Sequence, residues 1–126
     1  MWTFWVGLGA LFGALGVGLG AFGAHALKAR LSPEDLAIFE VGVRYQMYHG
    51  LALIGLGFVA SKIDSGLIRT AGWLFVVGII IFSGSLYTLV LSGMRVLGAV
   101  TPIGGVAIII AWILLAIAAF KTHFSN

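Results

Sequence analysis

Residues 71–92, AGWLFVVGIIIFSGSLYTLVLS, decide the fold. The stretch contains no Asp, Glu, Lys or Arg. As a helix rising about 1.5 Å per residue, it covers the roughly 30 Å hydrocarbon core of a bilayer. Its apolar residues do not alternate, so a barrel strand is excluded, and only helices and closed barrels satisfy the backbone in lipid. Outward from it lie three more apolar runs, at 2–24, 45–61 and 102–120. The expected fold is all-α: a polytopic membrane protein with four transmembrane helices in a bundle, forming one membrane domain over 1–126.

Composition agrees. Of 126 residues, 61% are hydrophobic and 9% charged, with a mean hydropathy of +1.15. A soluble domain of this size needs roughly a quarter of its residues charged. Zero cysteines exclude disulfides, thiolate metal sites and cysteine nucleophiles. The net charge of +3 is no nucleic-acid footprint, because the seven Lys and Arg sit singly in short connections. They suit anionic lipid headgroups instead. Ala24-His25-Ala26 faintly resembles a cleavage site, but no basic region precedes it and the apolar stretch is too long for a signal peptide. A retained helix is expected.

Local signals set the boundaries. Ser32 suits a helix cap, Pro33 the first helical position, and Glu34 and Asp35 the positive end of the helix dipole. Leu36, Phe39, Val43 and Met47 share one side of the helix that follows, while Ile38, Val41 and Tyr45 are apolar on another. Glu40 and Arg44 are spaced for an i,i+4 pair. This predicts an interfacial helix over about 33–44 that bends into the second span, or one long helix covering both. Thr101 and Pro102 mark the start of the fourth helix, as cap and first position. In the first span, Gly9, Gly13, Gly16, Gly20 and Gly23 recur every three or four residues, one smooth stripe that predicts a helix-packing face.

Four spans put both termini on one side of the membrane, side A, where Trp2, Trp5 and Trp73 predict an aromatic belt. Lys62, Arg69 and Lys121 fall on side A; Lys28, Arg30, Arg44 and Arg95 fall on side B. Three against four sets no orientation.

Side B gathers the polar residues. His25 ends the first helix; Arg44, Gln46 and His49 enter with the second; Ser83, Ser85 and Tyr87 lie in the third; Thr101 opens the fourth. A polar group in hydrocarbon needs a partner, so a hydrogen-bonded cluster centred on His49 is expected there. Serine and threonine hydroxyls in such helices also bond their own backbone or join neighbouring helices. Specific chemistries find little support. With only His25, His49 and His123, and no carboxylate inside a span, no metal or cofactor site is expected. A serine hydrolase would need a base and an orienting acid; Asp64 is on side A, and Glu34 and Glu40, the acids nearest side B's histidines, have no distinctive spacing. Gly104-Gly105 is too short for a phosphate loop. No catalytic residue is assigned.

Four segments also carry a resemblance: Gly20 to His25, Tyr45 to Leu53, Phe82 to Tyr87, and Thr101 to Gly105. In order and spacing they resemble domain-of-unknown-function family 423, the YgdD/YwdK-like set of small membrane proteins found in bacteria. The resemblance covers nearly the whole chain and implies a four-span integral protein of the bacterial cell membrane. It implies no activity. The sequence thus favours a non-enzymatic protein acting by association with itself, lipid or a larger membrane complex. The alternatives are an oligomeric transporter or channel for a small solute or ion, and an intramembrane enzyme acting on a lipid or quinone.

Overall fold

Ser32 and Pro33 start the longest helix where the sequence predicts. In a computed structural model of the chain, which describes residues 2–125, the Ser32 hydroxyl accepts a hydrogen bond from the Asp35 amide at 3.1 Å. Helix α1 covers Trp2–Phe22 and runs on through a π-helical turn, Gly23–Leu27. Helix α2 is Pro33–Ala60, α3 is Gly66–Ser92 and α4 is Thr101–Ser125, with a 3₁₀ turn at Arg95–Ala99 before α4. The α3 helix is capped by Ser65, whose hydroxyl accepts from the Leu67 amide at 3.1 Å. It ends at Gly93, where φ of 76° puts the chain in the left-handed region that glycine enters without a Cβ penalty.

Of the two alternatives for 33–60 the structure has the single long helix, and one other expectation needs adjustment. The segment 33–60 is one unbroken helix of 28 residues, roughly 42 Å at about 1.5 Å per residue, so no break in the helix separates an interfacial piece at Arg44. No proline lies within α2 beyond Pro33 to interrupt it. The fourth helix does begin at Thr101, but not through a side-chain cap. The preceding Val100 is already near-helical, at φ −82° and ψ −35°. The Thr101 hydroxyl is used elsewhere, as described below.

Three stretches are long and apolar enough to cross a membrane: Trp2–Leu27, Gly66–Ser92 and Arg95–Ser125. In α2 the polar Arg44, Gln46 and His49 dilute the hydropathy of an otherwise apolar helix. It nevertheless occupies the middle of the molecule. Helix α1 packs on α2, α2 on α3 and α3 on α4, while α1 and α4 share no substantial interface. The outer helices therefore flank a central α2–α3 pair. Half of the most apolar window of α3 is buried (50%), against 17% for α1 and 22% for α4.

Small residues set these contacts. A Cβ on Gly9 would lie 2.5 Å from the Gly50 carbonyl oxygen, and one on Gly57 would lie 2.9 Å from the Trp2 carbonyl oxygen. The α1–α2 seam is thus backbone against backbone, as close helix packing in lipid requires. The main core joins Trp5, Leu53, Leu56, Ile68, Phe75, Ile79, Ile108 and Ala111. A smaller one, at side B, joins Leu27, Phe39, Leu89 and Val90. Trp5 departs from the expected aromatic belt: Trp2 and Trp73 are partly exposed, but Trp5 is fully buried. Its ring lies on Gly72 of α3 and meets Trp73 edge-on, with centroids 5.2 Å apart.

Two ion pairs tie the connections among the described residues. Arg69 meets Asp64 at 3.0 Å on side A, well exposed to solvent. On side B, Arg95 grips Asp35 with two bonds of 2.8 Å, fastening the α3–α4 connection to the start of α2. That guanidinium holds the Asp35 carboxyl below the usual carboxylate range. The expected Glu40–Arg44 pair does not form; both side chains are exposed.

Candidate functional site

Gln46 is the centre of the polar constellation. It projects from α2 into the bundle and is only 4% exposed. Its amide nitrogen donates to the Phe12 carbonyl of α1 at 2.9 Å, and its amide oxygen accepts from the Tyr87 hydroxyl of α3 at 2.7 Å. One side chain thereby joins three helices. Both amide functions are used, and the Phe12 carbonyl gains a partner beyond its own helix.

Ser83 makes a second link. Its buried hydroxyl donates to the Gly42 carbonyl of α2 at 2.7 Å. Gly42 has to be small here, since a Cβ on it would meet the Tyr87 ring at 2.7 Å. Ser85 makes the third, on the opposite side of α3, where its hydroxyl lies 2.5 Å from that of Thr101 on α4. Ser85 is also 2.9 Å from the Phe82 carbonyl and Thr101 3.3 Å from the Leu97 carbonyl. Each hydroxyl has one proton, so whichever donates across the gap, the other donates to its own helix. The three large helix interfaces of the bundle, α1–α2, α2–α3 and α3–α4, are thus each closed by a side-chain hydrogen bond.

His49 stands apart from this set. Its Nδ1 lies 2.6 Å from the Tyr45 carbonyl one turn earlier in α2. A carbonyl only accepts, so Nδ1 carries the proton. The ring is 5% exposed, with the rings of Tyr45, Phe75 and Trp112 all within 6.0 Å of its centroid. Helical phase explains the separation: three residues from Gln46, His49 is turned by roughly 60° and faces α3 and α4 rather than α1. Arg44, two residues before Gln46, is turned by roughly 160° and is exposed. His25 is likewise exposed, in the π-helical turn. The single cluster expected around His49 and Arg44 therefore resolves into three interhelical links plus one isolated histidine.

On α1, a Cβ on Gly16 would lie 2.5 Å from the Met47 sulfur, on Gly23 2.9 Å from the Phe39 ring and on Gly20 3.4 Å from Val43. With Gly9, these four glycines face α2. Gly13 has nothing within 4 Å of a Cβ built on it. Sequence reasoning missed Trp112, which no polar pattern signals, and the backbone acceptors at Phe12 and Gly42, which no side-chain pattern encodes. Among the described residues, no group of three or more His, Cys, Asp or Glu could hold a metal ion.

Removing the central link has a defined expectation. Gln46→Leu leaves the Tyr87 hydroxyl without its acceptor at the helix interface, and should lower stability by about 1–2 kcal/mol. Adding Tyr87→Phe should then cost less than it does alone, because the two changes remove one shared bond. Reversible unfolding in mixed micelles, run as a double-mutant cycle, measures the coupling. Additive losses would show that the bond contributes nothing.

A row of long apolar helices joined by buried hydrogen bonds defines a small polytopic α-helical integral membrane protein. The chain belongs to the family described as "Protein of unknown function (DUF423)", whose match covers residues 19–105. It is 50% identical over 115 residues to the UPF0382 membrane protein YwdK of Bacillus subtilis (strain 168), covering 90% of this chain and 94% of the relative. A UPF0382 membrane protein of Staphylococcus aureus (strain bovine RF122 / ET3-1) is 55% identical over 114 residues, covering 90% of this chain and 93% of the relative. Another, from Staphylococcus aureus (strain USA300), is 56% identical over 114 residues with the same shares, 90% and 93%. No solved structure matches.

Proposed function

We propose that the protein works by lateral self-association in the bilayer, with the outer face of α1 as the pairing surface. The observation that carries this reading is that α1 has two faces of small residues. The inner one, through Gly9, Gly16 and Gly23, is filled by α2. The outer one presents Gly7, Ala10, Ala14, Gly18 and Ala21, all exposed, and a Cβ on Gly7 or Gly18 would meet nothing within 4 Å. Ala10, Ala14 and Gly18 are spaced by four, which lets two helix backbones approach closely. Such a face is self-complementary, so two copies of α1 can pair across a two-fold axis. Leu11, Leu15 and Val17, each more than half exposed, flank it and supply the packing surface.

Energy transfer between donor- and acceptor-labelled copies in lipid nanodiscs or vesicles tests this. Gly18→Leu adds bulk only on the outer face, so it should weaken pairing at least about tenfold while the fold survives. Pairing unchanged in Gly18→Leu and in Ala14→Leu would reject α1 as the surface. No transfer in the wild type, with a partner of different sequence retained from native membranes, would reject self-association itself.

A further inference from the structure

The hydrogen bonds of the bundle use only one nitrogen of the buried His49 ring. His49 Nε2 has no protein partner, and the ring borders a cavity of about 390 Å³ between α2 and α4. The cavity is lined by Tyr45, His49, Phe82, Gly105, Ile108 and Trp112. This volume lies within the roughly 300–1,000 Å³ of small-molecule sites, and an apolar lining with one oriented polar group is their usual composition. The lining lies within α2, α3 and α4 rather than in their connections, and Tyr45 and Trp112 are 39% and 45% exposed, so the mouth opens on the side of the bundle, the face such helices turn to lipid. An occupant arrives from the lipid phase.

Gly105 makes the space. Its neighbour Gly104 is pressed against the backbone of α3, but a Cβ on Gly105 would sit 3.8 Å from Phe82, an ordinary contact. Helix packing does not demand a glycine at 105. The missing side chain instead leaves room beside His49.

The ring's own hydrogen bond selects the ligand. Because Nδ1 donates to the Tyr45 carbonyl, Nε2 of the neutral imidazole is an acceptor. The group that meets it must donate. The surrounding Tyr45, Phe82 and Trp112 rings favour a flat aromatic body, which packs edge-on or offset against them. We infer that this pocket binds a membrane-soluble phenol, its hydroxyl donating to His49 Nε2 and its ring held among the aromatic side chains. Neither the three interhelical links nor the outer face of α1 takes part, so the site stands or falls independently of self-association.

Quenching of Trp112 by a brominated alkylphenol tests the assignment, using the full chain in phosphatidylcholine nanodiscs. The Trp112 contribution is obtained by difference from Trp112→Phe. The matched control is the methyl ether of the same compound, which keeps the shape and loses the donor. The phenol should quench saturably, with the ether at least about tenfold weaker, the usual scale for one lost hydrogen bond in a buried site. His49→Phe, which keeps the ring and removes the acceptor, should bring the phenol down to the level of the ether. Gly105→Leu should abolish saturable quenching by filling the pocket. Equal quenching by phenol and ether in the wild type would overturn the proposal without any variant. Saturable binding of the phenol that His49→Phe leaves unchanged, in a protein that still folds, would overturn it as well.

Discussion

Trp5→Ala is expected to lower the stability of the bundle by about 2–3 kcal/mol, while Trp5→Phe should cost far less. The indole is fully buried, seated on Gly72 and wedged against Phe4 and Trp73. In a soluble protein its loss would combine a transfer from water with a cavity. In lipid the transfer contribution largely drops out, because the unfolded-in-membrane chain already lies among apolar tails. The cavity remains. A void on the order of 100 Å³ at about 24 cal/mol per Å³ accounts for the figure given. Phenylalanine behaves differently because the Trp5 Nε1–H is buried without any acceptor. An unmet buried donor costs about 1–3 kcal/mol, so its removal offsets much of the packing lost with the smaller ring. Unfolding in mixed micelles, followed by circular dichroism, compares the two. A Trp5→Phe loss as large as that of Trp5→Ala would mean that the indole nitrogen has a partner after all.

Trp5 also shows what a sequence pattern conveys and what it leaves open. Hydropathy made the helical membrane class legible, because uncharged runs as long as 71–92 admit few structures. Ser32 and Pro33 marked a helix start through chemistry local to a few residues, and the structure uses it. Tryptophans near a helix end suggest an interface belt, but the partner glycine that draws Trp5 inward, Gly72, is 67 positions away. The same holds for the polar residues. Their side of the membrane followed from position, whereas their pairing depends on helix rotation, which puts Gln46 and Arg44 on opposite faces. Ser83 and Gln46 bond to carbonyls of Gly42 and Phe12, acceptors that every residue carries and that composition therefore cannot reveal. The α1 stripe was visible as periodicity, but only the structure divides the small residues of α1 between an inner and an outer face. The His49 pocket had no signature, because half of it is the absence of a side chain at Gly105.

Gly104→Ala is expected to destabilise the bundle by about 3 kcal/mol, and Gly84→Ala to leave it unchanged or slightly more stable. A Cβ on Gly104 would collide with the Phe82 amide nitrogen and lie 2.9 Å from both the Phe82 Cα and the Gly78 carbonyl oxygen. All three are backbone atoms, which cannot swing aside as a side-chain tip does. Relief requires α3 and α4 to separate, and separation acts on everything along the seam. Gly78 faces it from the other side, where a Cβ would lie 3.1 Å from the Gly104 carbonyl oxygen. The Ser85–Thr101 hydroxyl pair lies along the same two helices and lengthens as they part. Overpacking that side chains absorb costs about 1–3 kcal/mol, so a clash confined to backbone belongs at the top of that range. Gly84 is also a glycine inside a membrane helix, on α3 with Gly78, yet a Cβ there meets nothing within 4 Å. Only intrinsic propensity then acts, favouring alanine by about 0.5–1 kcal/mol in a helix interior. Unfolding midpoints of the two variants in the same micelles separate close packing from the general frequency of glycine in membrane helices. Equal effects at 84 and 104 would show that the α3–α4 seam is looser than the structure places it.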